Sequence, residues 1–301
     1  MSQLESLNND FALPNALAFV TGHGGLTKAV ITTPDAAAEI FLHGAHVTHY
    51  QPINQPPVLF MSAKSNFAPG KAIRGGVPIC FPWFGNLEGH PEAPAHGFAR
   101  TAEWLVVGTS QVPVKSVKIV LKGGGTAGTA YQGLTATYTV TVGSTLKTEL
   151  EIHSIASQPI RFEEALHSYF HVGDVKQVSV TGLANTAYVD KLQANREITE
   201  GEEPIRITAE TDRIYLDTNA TCHITDPVLK RKITVRKTGS NTTVLWNPWI
   251  AKAKAMADFG DEEWPGMLCI ETCNVGKFSV TLAPGETHTM AAEVGAATDA
   301  G

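Results

Sequence analysis

Alternation on a period of two, broken at short intervals by turn residues, is what most limits the folds open to this chain. From Trp104 to about Ile155 the sequence is almost purely strand and turn. Leu105-Val106-Val107, Val117 to Leu121, Leu134 to Val142 and Leu146 to His153 alternate or run apolar, and Gly123-Gly124-Gly125 marks a loop. Similar short runs precede it at Ala29 to Thr32, Glu39 to Leu42 and Val47 to Tyr50, and follow it at Val178 to Leu183, Phe278 to Leu282 and Met290 to Val294. Ala251 to Asp258, rich in alanine and lysine, is the exception and predicts a helix of about one or two turns. The pattern predicts a globular, mainly β chain with only short helices. No repeat or linker divides it, so residues 1–301 read as one domain, with a polar lead-in over about 1–12 and a small-residue tail over about 295–301.

Charge and cysteine content exclude several classes of function. The formal net charge of −6 argues against nucleic acid, which would need a concentrated basic patch. No apolar run approaches a membrane span, and the first residues lack a basic-then-apolar signal pattern. Cys80, Cys222, Cys269 and Cys273 have no paired spacing, which favours reduced thiols and a cytoplasmic location. A monomer is the expectation.

Chemistry concentrates in a few stretches. In Ala165-Leu166-His167-Ser168-Tyr169-Phe170-His171-Val172-Gly173-Asp174, strand alternation puts His167, Tyr169 and His171 on one face. Such a histidine alone is as well explained by packing. A partner stands about a hundred residues later, where Glu271 is the single carboxylate in the apolar run Leu268 to Cys273. A histidine and a glutamate on separate strands facing one cleft are the minimum equipment for acid–base chemistry near neutrality. Arg74 lies beside Gly75-Gly76 in a proline- and aromatic-rich loop, and Arg100 follows His96 in Ala95-His96-Gly97-Phe98-Ala99-Arg100. Arginines so placed suit a phosphate or carboxylate, or else a buried ion pair. Trp83, Phe84 and Trp246 either close a core or wall a sugar-sized pocket, and Asp212 either caps a turn or holds a ligand hydroxyl. His43, His46 and His49 are not read as a metal site, because spacing by three alternates strand faces and no cysteine or carboxylate completes the set.

The segments IRGGVPICFPWFG, AHGFAR, ALHSYFHVGD, TDRIYL and LCIETCN occur in the order seen in the hexose-6-phosphate mutarotases, within the wider aldose 1-epimerase group, which this chain therefore resembles. The resemblance runs from about Ala36 to Thr287. It implies a large antiparallel β-sandwich of the galactose mutarotase-like type, with the sugar in an open cleft. It further implies that His167 and Glu271 are the catalytic pair, that Arg74, Arg100 and Asp212 contact the substrate, and that neither a metal nor an organic cofactor is used; His96 is a further candidate for substrate contact, because the residue before it lacks a side-chain amide. Ala95 stands where many eukaryotic members have glutamine.

Interconverting aldose anomers requires opening the hemiacetal, rotating the C1 carbonyl and reclosing on the other face. Histidine suits protonation of the ring oxygen, and glutamate suits removal of the anomeric hydroxyl proton. Glu271 then needs a hydroxyl, a backbone N–H or an arginine to stay ionised, since burial alone raises its pKa. The pair is expected across a sugar-sized gap, out of hydrogen-bond contact. The expected activity is anomer exchange of a hexose 6-phosphate, with Arg74 and Arg100 on the phosphate and Lys252 and Lys254 as substitutes. A mutarotase for free aldoses and a non-catalytic carbohydrate-binding module are the alternatives.

Overall fold

The computed structural model describes residues 2–112, 115–126 and 128–298. Two eight-stranded antiparallel sheets dominate it. One runs Ser179–Thr181, Cys222–Asp226, Arg231–Thr238, Thr287–Thr298, Leu146–Ser154, Leu134–Val142, Ser116–Gly123 and Leu105–Val112 in spatial order. Its members show the period-two pattern plainly. Leu134, Ala136, Tyr138, Val140 and Val142 are buried, while the residues between them are wetter. A turn in which Gly143 N–H donates to Thr145 O sets Val142 opposite Leu146 and so fixes the register of the hairpin.

The other large sheet carries the strands Arg196–Thr199, Ala187–Asp190, Thr211–Tyr215, Thr242–Asn247, Met267–Asn274, Glu164–Leu166 and Ile79–Cys80 in order. Tyr169–His171 also pairs with Met267–Asn274. All eight residues of Met267–Asn274 are buried, which explains why that stretch reads as a continuous apolar run. A four-stranded sheet from Leu17–Thr21, Thr27–Thr32, Ala36–Phe41 and His46–Pro52 and a small pair, Ile160–Phe162 with Val280–Leu282, complete the architecture. One apolar cluster draws on Leu17 and Phe19 near the start and on Met290 and Val294 near the end.

The polar lead-in is a helix, Gln3–Phe11. Ser2 caps it in a reciprocal box with Glu5, and Leu4, Leu7 and Phe11 pack against the core. The small-residue tail is partly strand, since Thr287–Thr298 runs through its first residues; 299–301 lie outside the described residues. The alanine- and lysine-rich segment forms the helix Trp249–Ala255. Among the described residues no helix is long and apolar enough to cross a membrane.

One buried polar contact joins the two large sheets directly beneath the strand that leads to His167. Glu164, fully buried, accepts from Asn274 Nδ2 at 2.8 Å through Oε1, and the same oxygen lies 2.9 Å from Nε2 of His288 on Thr287–Thr298. The hydrogen bond to Glu164 raises the pKa of His288 despite partial burial. A raised folded-state pKa gives stabilisation that is complete below the unfolded histidine value, about 6.5, and is lost as pH rises through the folded value. His288→Ala is therefore expected to lower unfolding free energy by about 2 kcal/mol near pH 5.5, the modest figure reflecting a partly exposed ring. In urea titrations this deficit should narrow as pH is raised; a deficit that stays constant or grows would contradict the charged pair.

Candidate active site

The register of the second large sheet brings the chemistry together. Leu166 pairs with Thr272, and Tyr169 pairs with Cys269, so His167 stands across from Glu271. Val244 pairs with Glu271 on the other side, and Asp212 with Trp246. Side chains two residues apart share a face, which places Asp212, Ile214, Val244, Trp246, Glu271 and His167 on one surface. These six line one cleft of ≈ 590 Å3. The ladder opens at His167-Ser168, where His167 N–H donates to Pro78 O at 3.0 Å and Tyr169 N–H to Gly76 O at 2.9 Å. His171, on the same face by sequence, lies away from this cleft with Nδ1 3.3 Å from Pro57 O.

His167 and Glu271 are not separated by a gap. Nε2 and Oε1 lie 3.3 Å apart, with His167 6 % and Glu271 1 % exposed. The expected support for an ionised Glu271 is missing too: among the described residues Oε2 has no hydrogen-bond partner. Burial, followed by the charge of Asp212, pushes the Glu271 carboxyl well above its ordinary range, with Arg100 opposing. Burial, followed by His96 and the two arginines, pushes His167 well below its own. Both directions favour a protonated carboxyl and a neutral imidazole, a pair holding one mobile proton between them. The Tyr169 ring is stacked on His167 at 4.7 Å and 8°, and Trp246 meets both rings edge-on at 6.1 and 5.9 Å.

The walls come from loops. Phe84 and His96 line the cleft as a T-shaped pair 4.8 Å apart. Glu163 holds Phe84 in place by accepting from its N–H at 2.9 Å while also accepting from Gly276 N–H at 2.7 Å. His96 adopts φ 65° and accepts from Gly85 N–H through Nδ1 at 3.2 Å, so its proton sits on Nε2. Burial and the neighbouring arginines lower its pKa to about 3, which makes it a neutral donor. Arg74 lines the cleft as part of an ion pair with Asp258. Its loop is gripped by His43 and His46, whose Nε2 atoms donate to Lys71 O and Gly75 O at 2.7 Å each. Gly76 must be glycine here: φ is 62°, and a Cβ would sit 2.2 Å from Val47 O.

Two expected site residues fall elsewhere. Arg100 donates to Ala95 O at 2.7 Å and does not line the cleft, although its charge acts on both His167 and Glu271. Trp83 is core: it packs on Phe98 and Tyr131, and its Nε1 donates to Pro94 O. Lys191 and Met256 line the cleft without having been singled out by sequence; Lys191 follows a strand end and looks like an ordinary turn lysine. Lys252 lines it and Lys254 does not.

Metal-type donors meet once among the described residues, where His167, Cys269 and Glu271 offer atoms within 4.8 Å of one another. Burial and Glu271 together raise the Cys269 thiol well above its usual pKa.

A cleft of sugar size over a histidine–glutamate pair, on an antiparallel sandwich, is an arrangement suited to proton transfer on a hydroxylated ring. Comparison with known proteins gives the family. Residues 28–294 match the family described as aldose 1-epimerase. A candidate glucose-6-phosphate 1-epimerase of Cenchrus ciliaris is 36% identical, covering 91% of this chain and 86% of its own; one of Salmonella typhimurium is 34% identical, covering 82% and 83%. The crystal structure of a candidate mutarotase from Salmonella typhimurium superposes with a TM-score of 0.87 at 30% identity, covering 96% of both chains. The chain belongs to the aldose 1-epimerase family, and it is an isomerase that exchanges sugar anomers. Its anomer-exchange rate is expected to be the same in EDTA as without it. A rate lost to the chelator and restored by one divalent ion would overturn the proton-transfer assignment.

Proposed function

We propose that this enzyme interconverts the α and β anomers of a hexose 6-phosphate, with glucose 6-phosphate as its substrate. The observation that carries this is the rim. Lys191 and Lys252 line the cleft beside Asp212, and neither is ion-paired to a carboxylate among the described residues. Two available ammonium groups at the mouth suit a phosphate that must remain partly solvated, whereas a neutral hexose offers them no charge. Arg74, already balanced by Asp258, and Arg100, which does not line the cleft, are less suited to that role. The names of the curated relatives point the same way.

Catalysis is assigned to His167 and Glu271 acting as one unit. With the shared proton on Glu271, the carboxylic acid protonates the ring oxygen while His167 Nε2 takes the anomeric hydroxyl proton. The C1–O5 bond breaks and the C1=O1 double bond forms. After rotation about C1–C2, the imidazolium returns its proton to O1 and the carboxylate recovers its own from O5. The pair ends as it began, with the opposite anomer in the cleft. This assignment inverts the one expected from ordinary pKa values, because burial favours the neutral forms of both groups. Close contact is an advantage here, since O1 and O5 are bonded to one carbon and adjacent groups reach both. His96 Nε2–H and Asp212 are assigned to sugar hydroxyls, and Trp246 to the apolar ring face.

Exchange NMR on glucose 6-phosphate and free glucose tests this. His167→Ala and Glu271→Gln should each lower kcat by roughly a hundredfold to ten-thousandfold with unchanged circular dichroism. Lys191→Ala and Lys252→Ala should each raise KM for the phosphosugar about tenfold, from loss of a charged hydrogen bond, and leave free glucose unaffected. Equal handling of free glucose and its 6-phosphate by the wild type would refute the phosphate assignment; near-normal rates in either catalytic variant would refute the pair. The neutral forms are lost to protonation of His167 on the acid side and to ionisation of Glu271 on the alkaline side. Since the first pKa is lowered and the second raised, kcat should show no inflection at the ordinary histidine value of about 6.5.

A further inference from the structure

Asp258 binds Arg74, and a chain of contacts leads from it to the imidazole. Arg74 Nε and Nη2 both donate to Asp258 Oδ2, at 3.2 and 3.1 Å. Arg74 Nη1 donates to Tyr169 Oη at 2.9 Å. The Tyr169 ring lies nearly parallel to His167 and 4.7 Å from it, and Tyr169 is 1 % exposed. Three of the five guanidinium N–H groups are thus committed inside the protein, and two partners on different edges fix the plane of Arg74.

Asp258 is itself firmly held. Phe259 packs on Phe60 at 5.6 Å, Gly260 N–H donates to Ser62 Oγ and Glu263 Oε2, and Ala63 N–H donates to Glu263 Oε1. The segment it is fastened to is the one that carries Arg74: Ser62 N–H donates to Arg74 O, and Arg74 N–H to Ser65 Oγ. Carboxylate and guanidinium are therefore presented from two loops stitched to each other, which makes the pair a rigid strut.

We propose that Asp258 is a positioning residue for His167: it locks Arg74, Arg74 locks the Tyr169 hydroxyl, and the Tyr169 ring sets the plane in which His167 faces Glu271. The same contact balances the charge of Arg74 where it lines the cleft. The proposal rests on His167 being catalytic, as assigned above. Loss of the carboxylate leaves the guanidinium one anchor short, so the imidazole is held less well, and it adds an unbalanced cation to a cleft that takes a phosphate. Turnover should then fall with no loss of phosphosugar affinity, which a general loosening of the fold would not produce.

The test compares Asp258→Asn, Asp258→Glu and Tyr169→Phe with wild type and His167→Ala, using exchange NMR on glucose 6-phosphate and thermal melts. Asp258→Asn should lower kcat about tenfold to a hundredfold, the scale of a misplaced catalytic group, with KM unchanged or lower. Asp258→Glu should recover most of the rate, and Tyr169→Phe should lose kcat without gaining affinity. An unchanged kcat in Asp258→Asn, or a fall in kcat matched by a rise in KM, overturns the proposal. If Asp258→Asn does not fold, Tyr169→Phe decides: a normal kcat there overturns it. Full activity in His167→Ala would instead remove the catalytic assignment beneath it, and the two failures are told apart by that variant.

Discussion

A carboxyl group placed in the middle of a strand that is buried at every position is the constraint around which the rest of the site is arranged. Glu271 has Val244 on one side and His167 on the other, and among the described residues no arginine or backbone N–H bonds to its second oxygen. An isolated carboxylate in such surroundings is strongly disfavoured, so the proton stays, and the nearest acceptor for it is an imidazole that burial has likewise kept neutral. Dryness thus does the tuning: it makes an acid of the carboxyl and a base of the histidine without any charged neighbour bonded to either.

Charge in the cleft is separated by depth. Away from the rim the arginines are engaged: Arg74, which lines the cleft, by Asp258, and Arg100, outside the lining, by Ala95 O. At the rim, Lys191 and Lys252 are exposed, and their charges act on Asp212. A cation free to approach His167 would lower its basicity further, while a cation at the mouth attracts an anion without disturbing the proton on the floor.

Much of this could be read from the sequence, for identifiable reasons. Strand alternation in Leu134–Val142 exposes itself because each face meets a different medium. His167 and Glu271 stand out because polar residues are scarce in apolar runs. What the sequence does not carry is register across a hundred residues, and register alone decides that the pair touches. The same limit applies to rings and cations. Trp83 and Phe84 are neighbours in the chain, yet one is core and the other wall, since a shaped loop sends adjacent side chains in different directions. Arg100 looks like a ligand until its carbonyl partner is seen, and Lys191 looks like surface until the opposite wall is in place. The helix at Gln3–Phe11 had a legible signal, Ser2 with Glu5, overshadowed by a polar composition.

The late position of Met267–Asn274 in the chain has a consequence for how the protein is made. That strand lies between Thr242–Asn247 and Glu164–Leu166, so until it is inserted both neighbours present an unpaired edge. Most of the molecule can form its hairpins locally, but the sheet that holds the cleft is closed by a segment arriving about a hundred residues after one of its two partners, Glu164–Leu166. Such long-range closure is slow and leaves sticky edges open meanwhile. The step that completes the cleft therefore also buries two of the chain's open strand edges, while Thr287–Thr298, later still, closes the other large sheet between Arg231–Thr238 and Leu146–Ser154.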